Sequence, residues 1–155
     1  MRYILLGQKN VGKSSIFNKL TGKRSNIVDS IEGSTRDWIE GLIKHKNQKY
    51  YLIDTPGFNL KSKDGLNKSS FGIIKNNLKP INHILFVVDG RKLISNNDKE
   101  ILRFLRKTGI DIILIINKVD NEKIKLTSNQ FLKFGLKIIF TISCAHNIGI
   151  KQLND

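Results

Sequence analysis

Gly7-Gln8-Lys9-Asn10-Val11-Gly12-Lys13-Ser14 fits the pattern G-x-x-x-x-G-K-[ST] and has the neighbours that the pattern requires. An apolar β-type run, Tyr3-Ile4-Leu5-Leu6, precedes it, and a helical pattern, Ser15-Ile16-Phe17-Asn18-Lys19-Leu20, follows. Glycines at 7 and 12 let backbone N–H groups turn inward and approach an oligophosphate closely. The N-terminus of the following helix adds a partial positive charge. Lys13 puts an ammonium in that first turn, where a cation opposes the macrodipole and no acid sits beside it. An anion resolves the conflict, so the stretch indicates a nucleoside triphosphate while remaining silent on the base.

Outward from this loop, strand-like and helical runs alternate. Strands read at 2–7, 38–45, 49–54, 82–89, 111–116 and 137–142; helices read at 13–21, 68–79, 96–107, 128–134 and from 148. The runs Ile84-Leu85-Phe86-Val87-Val88 and Ile112-Ile113-Leu114-Ile115-Ile116 suit central parallel strands buried on both faces. The more polar 38–45 suits an antiparallel edge, joined to 49–54 through Lys46-Asn47-Gln48. The expected fold is α/β: a three-layer αβα P-loop domain around a six-stranded, mostly parallel sheet with one antiparallel edge strand. Segments 22–37 and 55–67 read as long loops beside the phosphate-relevant positions, a length that usually carries function.

Further motifs fall at strand ends, where ligands of such sheets bind. In Asp54-Thr55-Pro56-Gly57 a carboxylate can hold Mg²⁺ through a water, and the Gly57 N–H can face a terminal phosphate. Asn117-Lys118-Val119-Asp120 selects the base. Guanine offers N1–H and its 2-amino group to one carboxylate, whereas adenine would leave the Asp120 charge desolvated and unpaired. Lys118 can lay its stem over the ring and Asn117 can brace the loops. The backbone at Ser143-Cys144-Ala145 can reach the guanine O6, and the Thr35 hydroxyl can join Ser14 on Mg²⁺ when a terminal phosphate is present.

The 155 residues amount to one domain. The single cysteine, Cys144, excludes an internal disulfide and fits a reducing compartment, and the N-terminal apolar run is too short for a signal peptide. A cytoplasmic protein is expected, with neither membrane nor DNA as partner. The net charge of +14 suits a polyanion such as RNA. It suits equally a composition rich in Lys, Ile and Asn, because Lys outnumbers Arg 21 to 6 and the lysines are spread along the chain.

In this order the elements resemble TRAFAC-class GTPases of the Era/TrmE/Der group, and within it the first G domain of the double-G-domain branch Der (EngA). The residues that carry the likeness are Gly7 through Arg24, Ile27-Val28-Asp29, Thr35-Arg36-Asp37, Phe86-Val87-Val88-Asp89-Gly90-Arg91 and Ser143 through Gly149. The resemblance implies GTP and GDP binding by Gly7 to Ser15, Asp54 to Phe58, Asn117 to Asp120, Ser143 and Cys144. It also implies Mg²⁺ on Ser14, Thr35 and Asp54, catalysis through Lys13, Thr35 and Asn10, and a role in assembly of the large ribosomal subunit, with that subunit or rRNA as partner. In relatives an Asn at the place of Asn10 can ligate K⁺ beside the phosphates.

Phe58 stands where Ras-type relatives keep a water-orienting Gln, so slow turnover is expected. A degenerate domain that holds guanine nucleotide without turnover is the alternative. Lys9 replaces a usual Pro, Glu32 another Pro, and Cys144 a usual Ala. Residues 1–155 are expected to form one G domain with a truncated last helix, lacking the second G domain and KH-like domain of that branch.

Overall fold

The computed structural model describes residues 1–22, 27–30, 39–55, 57 and 81–154, with backbone alone at 27–30 and 154. Thr35, Pro56, Phe58 and the helix expected at 68–79 lie outside the described residues, as do most of both expected loops.

The described elements are β1 (Arg2–Gly7), α1 (Lys13–Thr21), β2 (Ile27–Ser30), β3 (Ile39–His45), β4 (Gln48–Asp54), β5 (His83–Asp89), α2 (Asn96–Arg106), β6 (Asp111–Asn117), α3 (Glu122–Ser128), a 3₁₀ helix (Asn129–Phe134), β7 (Ile138–Thr141) and α4 (Ile150–Asn154). The sheet order is β2-β3-β4-β1-β5-β6-β7. The six expected strands are all present, and among the described strands β3 alone runs against the rest, pairing antiparallel with β4 and β2. The difference is β2: it lies within a segment read as loop and covers β3, so the antiparallel strand is not the edge.

Alternation along the central strands divides the core. Ile4, Leu6, Ile84, Phe86, Val88, Leu114 and Ile116 face one side and pack with Ile101, Leu105, Phe131 and Phe134 of α2 and the 3₁₀ helix. Leu5, Leu85, Val87 and Ile115 face the other, against Ile16 and Phe17 of α1. Full burial of each such side chain contributes about 1.5–3 kcal/mol, and a register slip of one residue would forfeit it along a whole strand. Gly41 on β3 leaves room for α1, since a Cβ there would meet the Phe17 ring at 2.7 Å.

Local chemistry sets the boundaries. Lys46 and Asn47, at φ 45° and 62°, turn β3 into β4 as a two-residue hairpin, and Gln48, expected in the turn, pairs with His45 instead. Ser95 and Asp98 form a reciprocal capping box at the start of α2. The helix expected at 128–134 begins earlier. Asn121 caps it by accepting from the Ile124 N–H at 3.0 Å, and the last turns tighten to 3₁₀ from Asn129. Among the described residues no helix is long and apolar enough to cross a membrane.

Candidate guanine-nucleotide site

Four parallel strands end together: Gly7 of β1, Asp54 of β4, Asp89 of β5 and Asn117 of β6 stand at their carboxyl ends. The loop Gly7–Ser14 rises from this edge. A Cβ at Gly7 would collide with the Val87 carbonyl of the neighbouring strand, and one at Gly12, held at φ 100°, with the Asn117 amide. Both positions demand glycine. Asn10 adopts φ 65°, a left-handed conformation that Asn tolerates better than most residues.

Lys13 is 5% exposed. Its ammonium donates to the carbonyls of Gln8 at 2.9 Å and Gly7 at 3.4 Å. Burial lowers its pKa to about 8, against the opposing charge of Asp54. A desolvated ammonium at the start of this helix fits the phosphate oxygens that the loop is expected to hold. The Ser14 hydroxyl donates to Asp54 Oδ2 at 2.7 Å. Asp54 is buried and its Oδ1 has no hydrogen-bond partner among the described residues. Burial raises its pKa despite the Ser14 hydroxyl, the Lys13 charge and the Thr55 N–H. A hydroxyl and a carboxylate in contact, with one buried oxygen unsatisfied, fit a hard divalent cation.

Asn117 ties the loops together. Its Nδ2 donates to the Val11 carbonyl at 3.0 Å, while its Oδ1 accepts from the Cys144 N–H at 3.2 Å. Asp120 Oδ1 accepts from the Ser143 hydroxyl at 2.6 Å and has His146 Nε2 at 4.0 Å. Ser143 is fully buried and is itself fixed by paired backbone bonds with Ile148. Lys118, at φ 67°, donates to the Asn10 carbonyl and to Asp89 Oδ2, the latter at 3.0 Å.

Not every expected site residue offers its side chain. The Thr55 hydroxyl is committed to the Leu5 carbonyl at 2.7 Å. Val11 and Val119 are core residues. Gln8 Nε2 donates to Ser95 Oγ at 2.9 Å and Asp98 Oδ1 at 2.6 Å, which are α2 groups. Gly57 abuts Lys9, and a Cβ there would come within 2.6 Å of the Lys9 nitrogen. Lys9 and Asn10 are exposed, as are Ser14 and Ser15 in the first turn of α1. Burial raises the Cys144 thiol pKa, against the nearby Lys19 charge.

Two features escaped the sequence reading. Asp89 accepts from the Arg91 N–H at 3.1 Å and Nη2 at 3.0 Å as well as from Lys118, and these bonds outweigh burial and hold its pKa down. The signal was available, since Asp89 ends a buried strand as Asp54 does. The Gln8–Ser95–Asp98 cluster had none, because its partners are distant in sequence.

A phosphate loop, a carboxylate–hydroxyl pair and a carboxylate braced for base recognition, all on the carboxyl edge of this sheet, define the GTP-binding domain class of P-loop proteins. Residues 2–118 match the family described as 50S ribosome-binding GTPase, and the chain belongs to that family. Its relatives include the GTPase Der of Methylacidiphilum infernorum, 39% identical over 96% of this chain and 32% of that protein. The GTPase Der of Campylobacter jejuni is 40% identical, over 97% and 32% respectively. The chain thus spans about a third of the length of these relatives. Among solved structures, an Era variant of Aquifex aeolicus bound to GDP·AlF4⁻ superposes with a TM-score of 0.77 at 28% identity, over 98% of this chain and 54% of that one. Era with MgGDPNP and a 16S ribosomal RNA segment gives 0.75 at 28%, over 98% and 53%.

Proposed function

We propose that this chain is a Mg²⁺-dependent GTPase, stimulated by K⁺, that acts in the cytoplasm in assembly of the large ribosomal subunit. The observation that carries the reading is the pair of hydrogen bonds of Asn117, donated to the Val11 carbonyl and accepted from the Cys144 N–H, which ties the phosphate loop to the loop after β7. Lys13 and the loop amides would hold the phosphates, and the Asp120 carboxylate the N1–H and 2-amino group of guanine. Ser14 and Asp54, with Thr35, would hold Mg²⁺, and Asn10 would hold K⁺. Held by these residues, the cations would supply positive charge against that developing on the terminal phosphates. The ribosomal partner is supported by the family description and by the net charge of +14. Phe58, unable to orient water, favours a second reading in which the domain holds guanine nucleotide without turnover.

Single-turnover GTP hydrolysis in K⁺ and in Na⁺, with and without large subunits, tests all parts. The expected result is hydrolysis that is faster in K⁺ and faster again with subunits. Asn10→Gly is the better variant for the potassium arm, because Ala at φ 65° adds backbone strain of its own. Equal rates in the two salts remove K⁺, indifference to subunits removes the ribosome, and tight binding without turnover leaves the second reading.

A further inference from the structure

We propose that the groove between α2 and the 3₁₀ helix binds the phosphate backbone of single-stranded RNA. The groove encloses about 690 Å³ and lies outside the nucleotide site. Its walls carry Lys99, Arg103 and Arg106 from α2, Lys107 from the C-cap that continues it in αR conformation, and Lys133 from the 3₁₀ helix, and no acidic residue lines it among the described residues. Phe134 and Leu102 form an apolar floor.

The cations are organised. On an α-helix, positions 99, 103, 106 and 107 fall within an arc of about 100°, and 99, 103 and 107 rise in steps of about 6 Å. That repeat is comparable to the separation of neighbouring phosphates along an extended strand. Glu100, the exposed acid of α2, is not part of the lining. Asp98, on the same helix, is buried and committed to Ser95 and Gln8.

Arginine usage separates this face from compositional drift. Of the four arginines among the described residues, Arg2 is paired with Glu40 and Arg91 with Asp89. Arg103 and Arg106 are the two with no carboxylate partner among the described residues, and both line the groove. Arg106 gives one Nη2 bond to the Phe134 carbonyl, which seats its guanidinium across the groove. Lys99, Lys107 and Lys133 likewise form no ion pair among the described residues. Holding five cations together costs self-repulsion that a polyanion relieves, and guanidinium forks suit phosphate oxygens. An acidic protein partner would meet the same charge. RNA is favoured by the stepped spacing of the cations along the helix. The proposal sharpens the ribosomal part of the reading above and does not depend on GTP turnover.

The test is binding of a fluorescein-labelled single-stranded RNA of mixed sequence to the full chain, measured by anisotropy across salt concentrations. The groove variant is Arg103→Glu/Lys107→Glu/Lys133→Glu. A control with the same charge change, Lys44→Glu/Lys46→Glu/Lys49→Glu, lies on the β3–β4 hairpin. The groove variant is expected to weaken binding at least tenfold and to lower the slope of log K against log salt by about 2, at roughly 0.7 for each phosphate no longer neutralised. The control should keep most of both. Equal losses in the two variants would reduce the effect to net charge and overturn the proposal. So would polyglutamate competing as well as unlabelled RNA, which would assign the groove to an acidic protein. Fluorescent GDP binding, unchanged in both variants, shows that each is folded and keeps this outcome separate from any failure of the GTPase reading.

Discussion

Gln8 Nε2 lies 2.6 Å from Asp98 Oδ1, so the phosphate loop is bonded to the capping box of α2. Asp98 is buried, and its other oxygen accepts from the Ser95 N–H at 2.9 Å and hydroxyl at 2.7 Å. One carboxylate therefore starts a helix and tethers the loop. Gln8→Ala strips a buried acceptor of its donor and should lower stability by about 1–3 kcal/mol. Gln8→Glu sets like charges together and should cost more. Urea unfolding measures both, and a midpoint unchanged in each would mean that the contact carries no weight in solution.

Asp89 makes a pH-dependent contribution. Its folded pKa lies below the ordinary 3.8, because the bonds from Arg91 and Lys118 overcome the burial that works to raise it. Above about pH 5 the carboxylate is ionised in both states and the bonds contribute fully. As pH falls through 3.8, the unfolded chain takes up the proton first, and the contribution drains away toward the folded pKa. Asp89→Asn should thus destabilise by about 1–3 kcal/mol at pH 7, with the difference from the parent shrinking below pH 4. A gap that stays constant from pH 7 to pH 3 would contradict this account.

The alternation of buried runs was enough to place the six expected strands, and the short motifs placed most site residues at strand ends. Both signals are local: a run of β-branched residues reports burial on two faces, and a glycine-rich turn reports where backbone must approach a ligand. Ile27-Val28-Asp29-Ser30 offered too short an apolar pattern to stand out as β2, which gains its place by pairing with β3. Asn121, one residue after the base motif, moved the start of α3 because a side-chain cap outweighs the apolar spacing further along. The Thr55 and Gln8 side chains could not be assigned from sequence. Their partners, Leu5 and the Ser95–Asp98 box, become neighbours only when the sheet is assembled.

Ser143 should tune guanine affinity without touching the phosphates. Its buried hydroxyl donates to Asp120 Oδ1 at 2.6 Å and accepts from the His146 N–H at 3.2 Å, which aims the carboxylate. Ser143→Ala loses one charge-assisted bond, and GDP affinity should fall by roughly 3–10-fold. If Asp120 takes both guanine donors as proposed, Asp120→Asn should cost about a hundredfold or more. Displacement of fluorescent GDP gives both values. Unaltered GDP affinity in Ser143→Ala would show that Asp120 holds its orientation without help.

Asp54 should set function against stability. Its carboxylate is desolvated, its Oδ1 has no partner among the described residues, and its pKa is raised first of all by burial. Asp54→Asn removes the buried charge, and the Asn carbonyl can still accept from the Ser14 hydroxyl. The variant should be more stable in the absence of nucleotide and metal by about 1 kcal/mol, or about 2–4 °C in Tm. It should also lose the strengthening of GTP binding by Mg²⁺, while binding GDP in EDTA much as the parent does. Under the proposed metal role the two effects would share one cause, a carboxylate kept dry for a cation. Calorimetric melting and nucleotide titration with and without Mg²⁺ measure them separately. A variant that melts lower yet retains its Mg²⁺ response would show that Asp54 serves the fold and not the metal.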